Sequence, residues 1–206
     1  MAELGEDQSG GEARTGEREP AAGSTALLII DMFNTLEFGG GERMLPAAER
    51  VADAIARLRD EADEAGVPVV YVNDNYDQWH SERSRLVELC RRGRGRALAE
   101  RLEPRPDDFF VIKPQFSGFY ATNLPVLLPH LGASRLILTG IAADICVLFT
   151  AADAHMREYA LWVPEDCTAA SDEGRTRWAL DVMRGSMKAD TRPTTEATLR
   201  DWLAAA

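Results

Sequence analysis

Three residues of this 206-residue chain could together perform thiol chemistry. Asp31 ends the apolar run TALLIID, Lys113 ends the run DFFVIK, and Cys146 follows the run RLILTG by a few residues. A cysteine becomes a strong nucleophile when a base takes its proton or a neighbouring charge lowers its pKa. Asp31 could accept the thiol proton, while Lys113 could keep Asp31 ionised and favour the thiolate. The three residues therefore predict nucleophilic attack by Cys146.

Each of the three residues could, taken alone, have a structural role. An aspartate after a strand often forms a turn, and a lysine there usually faces solvent. A cysteine among Ile145, Val147, Leu148 and Phe149 is usually a core residue. The interpretation of Cys146 as a nucleophile thus depends on all three residues converging on one edge of the fold.

The segment before Cys146, TGIAAD, supplies what a nucleophile needs. Asp144 could cap a helix that begins there, which would place Cys146 in the first turn. Free N–H groups and the helix dipole stabilise a thiolate at that position. The small residues Gly140, Ala142 and Ala143 would let backbone N–H groups approach a reacting carbonyl, as an oxyanion hole requires.

Other common catalytic and metal-binding arrangements lack their residues in this sequence. The histidines are His80, His130 and His155, and none of them ends a predicted strand, so a Ser-His-Asp triad is not indicated. The same scarcity of histidine argues against a zinc site, and the cysteines form no CxxC pair. We therefore expect neither a metal nor another cofactor.

Five short apolar runs must position the three residues. Runs rich in Val and Ile that do not alternate with polar residues suit strands buried on both faces. They alternate with helical patterns, which predicts an α/β fold with a parallel sheet between helices. Side chains at the carboxyl ends of such strands meet where ligands bind. The predicted strands are Thr25–Asp31, Val67–Asp74, Asp108–Lys113, Arg135–Gly140 and Ala160–Asp166, and a sixth is expected near Ala189–Thr191.

Six helical segments are predicted between and after these strands. The first has Val51, Ile55 and Leu58 at helical spacing, and the second is broken near Gly93 and Gly95. The predicted helices span residues 44–66, 81–102, 122–132, 144–159, 173–187 and 195–203.

Length and composition limit the class of protein. Residues 1–24 have almost nothing to bury and predict a disordered N-terminal tail, whereas residues 25–206 suit one domain. The net charge of −11 argues against nucleic acid and anionic membranes as partners. The basic run Arg91–Arg96 favours a solvated face over an anion contact. Three cysteines and no secretory signal predict a cytoplasmic protein.

Three blocks of the sequence resemble the isochorismatase-like cysteine hydrolases, a family that includes nicotinamidases and N-carbamoyl amidases. ALLIIDMFN resembles the first-strand block of the family, VIKPQFSGFYATNL its lysine block, and LILTGIAADICVLFTAADA its nucleophile block. Asp31, Lys113 and Cys146 fall on the catalytic aspartate, lysine and cysteine of the family. The resemblance covers about residues 25–198, nearly everything after the predicted tail.

The resemblance implies a three-layer α/β/α sandwich with a six-stranded, mostly parallel, doubly wound sheet, assembled as a dimer or tetramer. It implies that Cys146 attacks an amide-type carbonyl, Asp31 shuttles protons, Lys113 tunes both, and water hydrolyses the resulting thioester. The backbone N–H groups of Ala142 and Cys146 would form the oxyanion hole. The family places a cis peptide bond at the position of Ile141–Ala142. The expected reaction is cleavage of a C–N bond in a small amide, imide or ureido compound.

The chain departs from the family pattern at several positions. Nicotinamidases carry a metal-binding Asp-x-His pair and a further His after the second strand. Here Asn75 stands where the first His would fall, and His80 is a poor substitute, so neither a metal nor nicotinamidase activity is expected. True isochorismatases lack the cysteine that this chain has at position 146. Ala143 stands where the family commonly has threonine.

Substrate contacts are expected from loop residues that follow strands. Asn34 and Asn73 could orient the substrate or the catalytic residues. Aromatic side chains at such positions would favour a flat or apolar substrate, although they could instead pack the edge of the sheet. The aromatic candidates are Phe33, Trp79, Phe119 and Tyr120, of which Phe33, Trp79 and Tyr120, together with Asn34, are the predicted substrate-binding residues.

Two alternative functions stay open at this point. The chain could be a non-catalytic relative that binds a ligand or partner, in which case Cys146 would react with iodoacetamide no faster than Cys90 or Cys167. It could also be a redox-sensing thiol protein with Cys167 near Cys146 in space, in which case peroxide would inactivate it rapidly and reversibly.

Overall fold

The computed structural model describes residues 25–76 and 83–205. The predicted tail at residues 1–24 and the residues Trp79 and His80 lie outside this part of the chain. Within it, no helix has both the length and the apolar character that crossing a membrane would require.

Six parallel strands of the described residues form one sheet, and strands β1 and β4 lie at its centre. The order is β3-β2-β1-β4-β5, and β6 pairs with the end of β4. Every residue of β1 is buried, which is why its sequence is a continuous apolar run rather than an alternating one. The strands are β1 (Thr25–Ile30), β2 (Val69–Asp74), β3 (Phe109–Lys113), β4 (Arg135–Ile141), β5 (Ala160–Trp162) and β6 (Thr168–Ala169).

The five predicted strands are confirmed, but the sixth was wrong. No strand forms at 189–191, where Asp190 makes only an isolated bridge to Trp162. Strand β5 ends at Trp162, shortly before Pro164, whose missing N–H cannot extend the ladder. The sixth strand is Thr168–Ala169, and two residues are too few to show a strand pattern in the sequence.

Helices cover both faces of the sheet, so the predicted α/β/α sandwich is confirmed. Leu27 and Ile29 of β1 face one apolar cluster, which also contains Ile55 of α1, whereas Leu28 and Ile30 face the other. A short 3₁₀ turn spans Glu165–Cys167, and a π-helical turn, Ala143–Val147, leads into α5. The helices are α1 (Gly41–Glu64), α2 (Arg83–Arg92), α3 (Arg96–Arg101), α4 (Leu124–His130), α5 (Leu148–His155), α6 (Glu173–Met187) and α7 (Leu199–Ala204).

The predicted break between α2 and α3 packs against the loop that follows β1. A Cβ atom on Gly95 would lie 1.7 Å from the carbonyl oxygen of Asn34, and one on Gly93 would lie 2.9 Å from that of Thr35. Backbone therefore meets backbone at this corner, which fixes the loop after Asp31.

The arginines around the break pair with acidic residues on the surface. This supports the prediction that the basic run Arg91–Arg96 forms a solvated face. The pairs are Arg91 with Glu103, Arg92 with Glu88, Arg94 with Glu37 and Arg96 with Glu100.

Candidate active site

Asp31, Lys113 and Cys146 meet at the carboxyl edge of the sheet. Asp31 directly follows β1, Lys113 ends β3, and Cys146 lies in the π-helical turn after β4. The Nζ atom of Lys113 lies 2.8 Å from Oδ2 of Asp31 and 3.5 Å from Sγ of Cys146. Strand β2 separates β3 from β1, so the lysine side chain crosses the end of β2 to reach Asp31. The side chain of Lys113 is fully buried.

The carboxylate of Asp31 is held from two sides. The residue has a φ of 51°, in the left-handed region, and its N–H donates to the carbonyl of Val72 at 2.9 Å. Its Oδ1 accepts the N–H of Asp74 at 2.7 Å, while its Oδ2 faces Lys113. Backbone and cation together fix one orientation of the carboxyl group beside the thiol.

Asp74 is a second acidic residue at this site, and sequence reasoning assigned it no role. Its Oδ2 lies 3.5 Å from Nζ of Lys113, and its Oδ1 accepts the N–H of Tyr76 at 2.8 Å. Its position at the end of β2 is the signal that could have indicated it. Lys113 is therefore surrounded by two carboxyl groups and one thiol.

The electrostatics of the site differ from the expectation for a resting thiolate. Burial raises the pKa of the Cys146 thiol, and the nearby charge of Asp31 raises it further, which outweighs the opposite effect of Lys113. Burial also raises the pKa of Asp31, although Lys113 acts against this. Burial alone would lower the pKa of Lys113, but the negative charges of Asp31 and Cys146 raise it overall. Burial and the charge of Asp31 thus oppose a resting thiolate, so of the two expected routes to an activated Cys146, proton transfer to a base is the one that these directions favour.

The turn that holds Cys146 is distorted from regular α-helix. The N–H groups of Ile145 and Val147 both donate to the carbonyl of Ala142, at 3.1 and 3.2 Å. The N–H of Cys146, between them, does not share this acceptor. Cys146 lies in the first turn, as predicted, and the Ile141–Ala142 peptide bond is cis, as the resemblance implied.

The predicted N-cap role of Asp144 was wrong. The N-cap residue is Ala142, and no side chain caps the turn. Asp144 lies two residues after the N-cap, and its Oδ2 instead accepts a hydrogen bond from Nε of Arg175 on α6. Ala143, where the family commonly has threonine, is fully buried in an apolar cluster.

A cleft of about 390 Å³ opens over Asp31 and Cys146. Lys113 lies behind them and does not line it. Asp74, Asp144 and Arg175 contribute charged groups to its wall. The remaining lining residues are Asn34, Phe38, Gly39, Met44, Tyr76, Phe116, Ile141, Ala142, Ile145 and Ser171.

The predicted substrate-binding residues have mixed outcomes. Asn34 lines the cleft, and its Oδ1 also accepts the N–H of Leu36 at 2.9 Å. Phe33 does not line it: its ring is fully buried and packs 5.6 Å from that of Tyr71. Tyr120 is 59% exposed and lies outside the cleft lining. Trp79 falls outside the described residues.

The prediction that Phe33 binds the substrate was wrong because the chain turns at Asp31, and the turn directs the Phe33 ring into the core. Asn73 maintains this turn, since its Oδ1 accepts the N–H of Phe33 at 3.0 Å and its Nδ2 donates to the Phe33 carbonyl at 2.9 Å. Phe119 likewise is buried and packs beside Tyr159. The aromatic residues that do line the cleft are Phe38, Tyr76 and Phe116, which sequence reasoning missed.

The described residues contain no group of three His, Cys, Asp or Glu side chains that could hold a metal ion. Asn75 is buried, and its N–H donates to the carbonyl of Lys113 at 3.0 Å. Since His80 lies outside the described part of the chain, the expectation of no metal stays a prediction.

With the fold and geometry established, comparison with known proteins defines the family. The family model for the isochorismatase domain matches residues 25–196, so this chain belongs to the isochorismatase family. The chain is 39% identical to the uncharacterized isochorismatase family protein YaaI of Bacillus subtilis over 80% of its length and 91% of that protein. The prediction of a hydrolase of this family is confirmed.

Two further relatives have named activities. The ureidoacrylate amidohydrolase RutB of Methylorubrum extorquens is 33% identical, over 78% of this chain and 81% of that protein. The N-carbamoylsarcosine amidase of Thermoplasma acidophilum superposes with a TM-score of 0.66 at 29% identity, over 84% of this chain and 98% of that chain. Their names describe enzymes that cleave amide-type bonds.

Proposed function

We propose that this protein cleaves a C–N bond of a small amide, imide or ureido compound through a thioester on Cys146. The observation that carries the proposal is the position of Lys113, whose ammonium contacts both the Asp31 carboxyl group and the Cys146 sulfur at the floor of one cleft. The named activities of the amidohydrolase and amidase relatives support the same reaction class.

The first step is attack by the sulfur of Cys146 on the substrate carbonyl carbon. The S–H proton passes to Asp31, whose raised pKa makes it a better acceptor than an ordinary carboxylate. Transfer during attack avoids forming a free thiolate, which burial disfavours. The N–H groups of Ala142 and Cys146 donate to the oxyanion that develops, because the distorted turn keeps the Cys146 N–H away from the Ala142 carbonyl.

Collapse of the tetrahedral intermediate breaks the C–N bond and leaves a thioester. Asp31 returns its proton to the departing nitrogen, so ammonia or an amine leaves as a neutral molecule. Asp31 then accepts a proton from the attacking water. When the C–S bond breaks and the carboxylic or carbamic acid departs, Asp31 returns this proton to the sulfur and the thiol is regenerated. Lys113 stays protonated throughout and balances the charge that moves between sulfur and carboxylate.

The redox alternative is disfavoured by the position of Cys167. This residue is fully buried and belongs to the apolar cluster that contains α1. Cys146 packs against the cluster on the opposite face of the sheet. Cys167 is therefore poorly placed to resolve an oxidised Cys146.

Ammonia release from a panel of nicotinamide, carbamoyl and ureido compounds tests the proposal. On any compound that the protein turns over, Cys146→Ala should reduce the rate by at least ~1000-fold. The matched control Cys90→Ala removes a buried thiol that does not line the cleft and should leave the rate of the folded protein within about twofold. Turnover that survives Cys146→Ala would refute the mechanism. Assembly as a dimer or tetramer and a cytoplasmic location remain predictions.

A further inference from the structure

Three carboxyl groups line the cleft within the described part of the chain, and they differ in their exposure to solvent. The side chains of Asp31 and Asp144 are 6% and 2% exposed, whereas that of Asp74 is 34% exposed. Asp144 is paired with Arg175, and Asp31 carries the proton in the proposed reaction. Asp74 is thus the carboxyl group of this cleft that a water molecule can reach and that the proposed steps leave unused.

The two oxygens of Asp74 have different surroundings. Its Oδ1 accepts the N–H of Tyr76 at 2.8 Å, which fixes the orientation of the carboxyl group. Its Oδ2 lies 3.5 Å from Nζ of Lys113, at the outer limit of a hydrogen bond. Because a carboxylate oxygen can accept more than one hydrogen bond, Oδ2 keeps the capacity to accept one from a water in the cleft.

Asp74 and Asp31 lie side by side at the nucleophile. The backbone N–H of Asp74 donates to Oδ1 of Asp31 at 2.7 Å. The Oδ2 atoms of both residues face Nζ of Lys113, and Sγ of Cys146 lies 3.5 Å from the same nitrogen. A water held between the two Oδ2 atoms would therefore lie beside an acyl group carried by the sulfur.

The second half of the proposed reaction requires such a water. The thiol of Cys146 is hydrogen-bonded to Asp31, and this hydrogen bond is lost when the sulfur carries an acyl group. Asp31 can then accept a proton from water instead. The second O–H of the water needs its own acceptor, because an incoming nucleophile reacts fast only when its lone pair is directed at the carbonyl carbon. Asp74 provides an acceptor at this position.

We propose that Asp74 binds and orients the water that hydrolyses the Cys146 thioester. The inference rests on the proposed function, since it concerns the second half of that reaction. The water oxygen attacks the thioester carbonyl carbon, one proton passes to Asp31, and the other O–H stays hydrogen-bonded to Asp74. The C–S bond then breaks, Asp31 returns its proton to the sulfur, and the acid leaves with the second proton of the water. Asp74 thus acts in hydrolysis and not in the attack on the substrate.

The ester 4-nitrophenyl acetate tests this because it separates the two half-reactions. Acetylation of Cys146 releases 4-nitrophenolate in a burst, and intact-protein mass spectrometry then follows loss of the acetyl group. In Asp74→Asn the burst rate should stay within about threefold, while the acetyl group should be lost at least ~10-fold more slowly. The asparagine Oδ1 can still accept the N–H of Tyr76, but an amide nitrogen in place of Oδ2 cannot accept a hydrogen bond from water.

The controls use the same probe. Asp107→Asn makes the same change at an exposed aspartate that precedes β3 and does not line the cleft, and it should alter neither rate. Cys146→Ala should show no burst, which identifies the acetylated residue. Hydroxylamine is itself a strong nucleophile, so it should remove the acetyl group equally fast from Asp74→Asn and from the unmodified protein. If Asp74→Asn does not fold, Asp74→Ser replaces it, since a serine hydroxyl can accept the same N–H and lacks the second oxygen.

The outcomes separate this inference from the proposed function. Equal loss of the acetyl group with and without the Asp74 carboxyl group overturns the inference and leaves the nucleophile intact. A burst that slows as much as the hydrolysis also overturns it, because a role through Lys113, which contacts Asp31 and Cys146, would affect both steps. Absence of acetylation at Cys146 in the unmodified protein overturns the proposed function and this inference with it.

Discussion

The ammonium of Lys113 lies 2.8 Å from the Asp31 carboxyl group, although the two residues follow strands that are not neighbours in the sheet. The lysine side chain spans the end of β2 and is completely buried on the way. A buried cation is tolerated only where opposite charges surround it, and here Asp31 and Asp74 do so. This single side chain therefore ties three strands to the site.

Replacing Lys113 should destabilise the fold in a pH-dependent way. Lys113→Met leaves Asp31 buried without its cation, and we expect a loss of about 3–5 kcal/mol in the free energy of unfolding at pH 7. Burial already raises the pKa of Asp31, and the variant removes the charge that opposes this rise. A carboxyl group with a raised folded pKa costs stability as the pH rises through that value, so the deficit should shrink toward pH 4. Urea unfolding at several pH values measures it.

The other lysine of the chain provides the control for this experiment. Lys188 is exposed at the end of α6, and Lys188→Met should change the free energy of unfolding by less than about 0.5 kcal/mol at any pH. A deficit in Lys113→Met that stays constant between pH 4 and pH 7 would contradict the assigned charge balance.

Removing the charge of Asp31 should make the Cys146 thiol more acidic and should nevertheless reduce turnover. Burial and then the Asp31 charge raise the pKa of Cys146, so Asp31→Asn should lower that pKa. The pH dependence of iodoacetamide labelling at Cys146 should therefore move to lower pH. Turnover should nevertheless fall by at least ~100-fold, because no group remains to accept and return the proton.

A labelling profile of Asp31→Asn that moves to higher pH would contradict the role assigned to Asp31. If Asp31→Asn moves the labelling profile to higher pH, Asp31 favours the thiolate and does not serve mainly as a proton acceptor. Asp74→Asn is the matched comparison, since it removes a carboxyl group that contacts Lys113 at 3.5 Å and leaves the carboxyl group of Asp31 in place. We expect a smaller effect on turnover from that variant.

The convergence of Asp31, Lys113 and Cys146 on one edge of the sheet could be predicted from the sequence because their signals are local. Asp31 and Lys113 each end an apolar run, and Cys146 follows one, so a buried parallel strand and its carboxyl end suffice to place them. Side-chain direction beyond the strand end depends on the path of the loop, which is why Phe33 was assigned to the pocket and lies in the core. Arg175 was missed because its contact with Asp144 joins residues 31 apart, across two strands and a helix.

Selective labelling should distinguish Cys146 from the other thiols. Cys90 and Cys167 are both fully buried, whereas Cys146 lines the cleft and can be reached by the reagent. In the folded protein at pH 7.5, iodoacetamide should modify Cys146 at least ~10-fold faster than either buried thiol. Peptide mass spectrometry gives the three rates, and unfolding in urea should make them similar. Comparable rates in the folded protein would favour the non-catalytic alternative.

The spacing of β1 and β4 beneath the site should depend on Gly140. Gly140 has a φ of 111°, and a Cβ atom there would lie 2.0 Å from the carbonyl oxygen of Ile30. Gly140→Ala must therefore push apart the strands that end at Asp31 and at the Cys146 turn. We expect a loss of more than about 3 kcal/mol in the free energy of unfolding, and loss of turnover in any folded fraction.

Gly185→Ala is the control, because that glycine lies within α6 with no atom near the added methyl. It should stabilise the protein by about 0.5–1 kcal/mol. If urea unfolding shows similar small changes for both variants, the two central strands tolerate separation and the close approach at Gly140 does not set the geometry of the site.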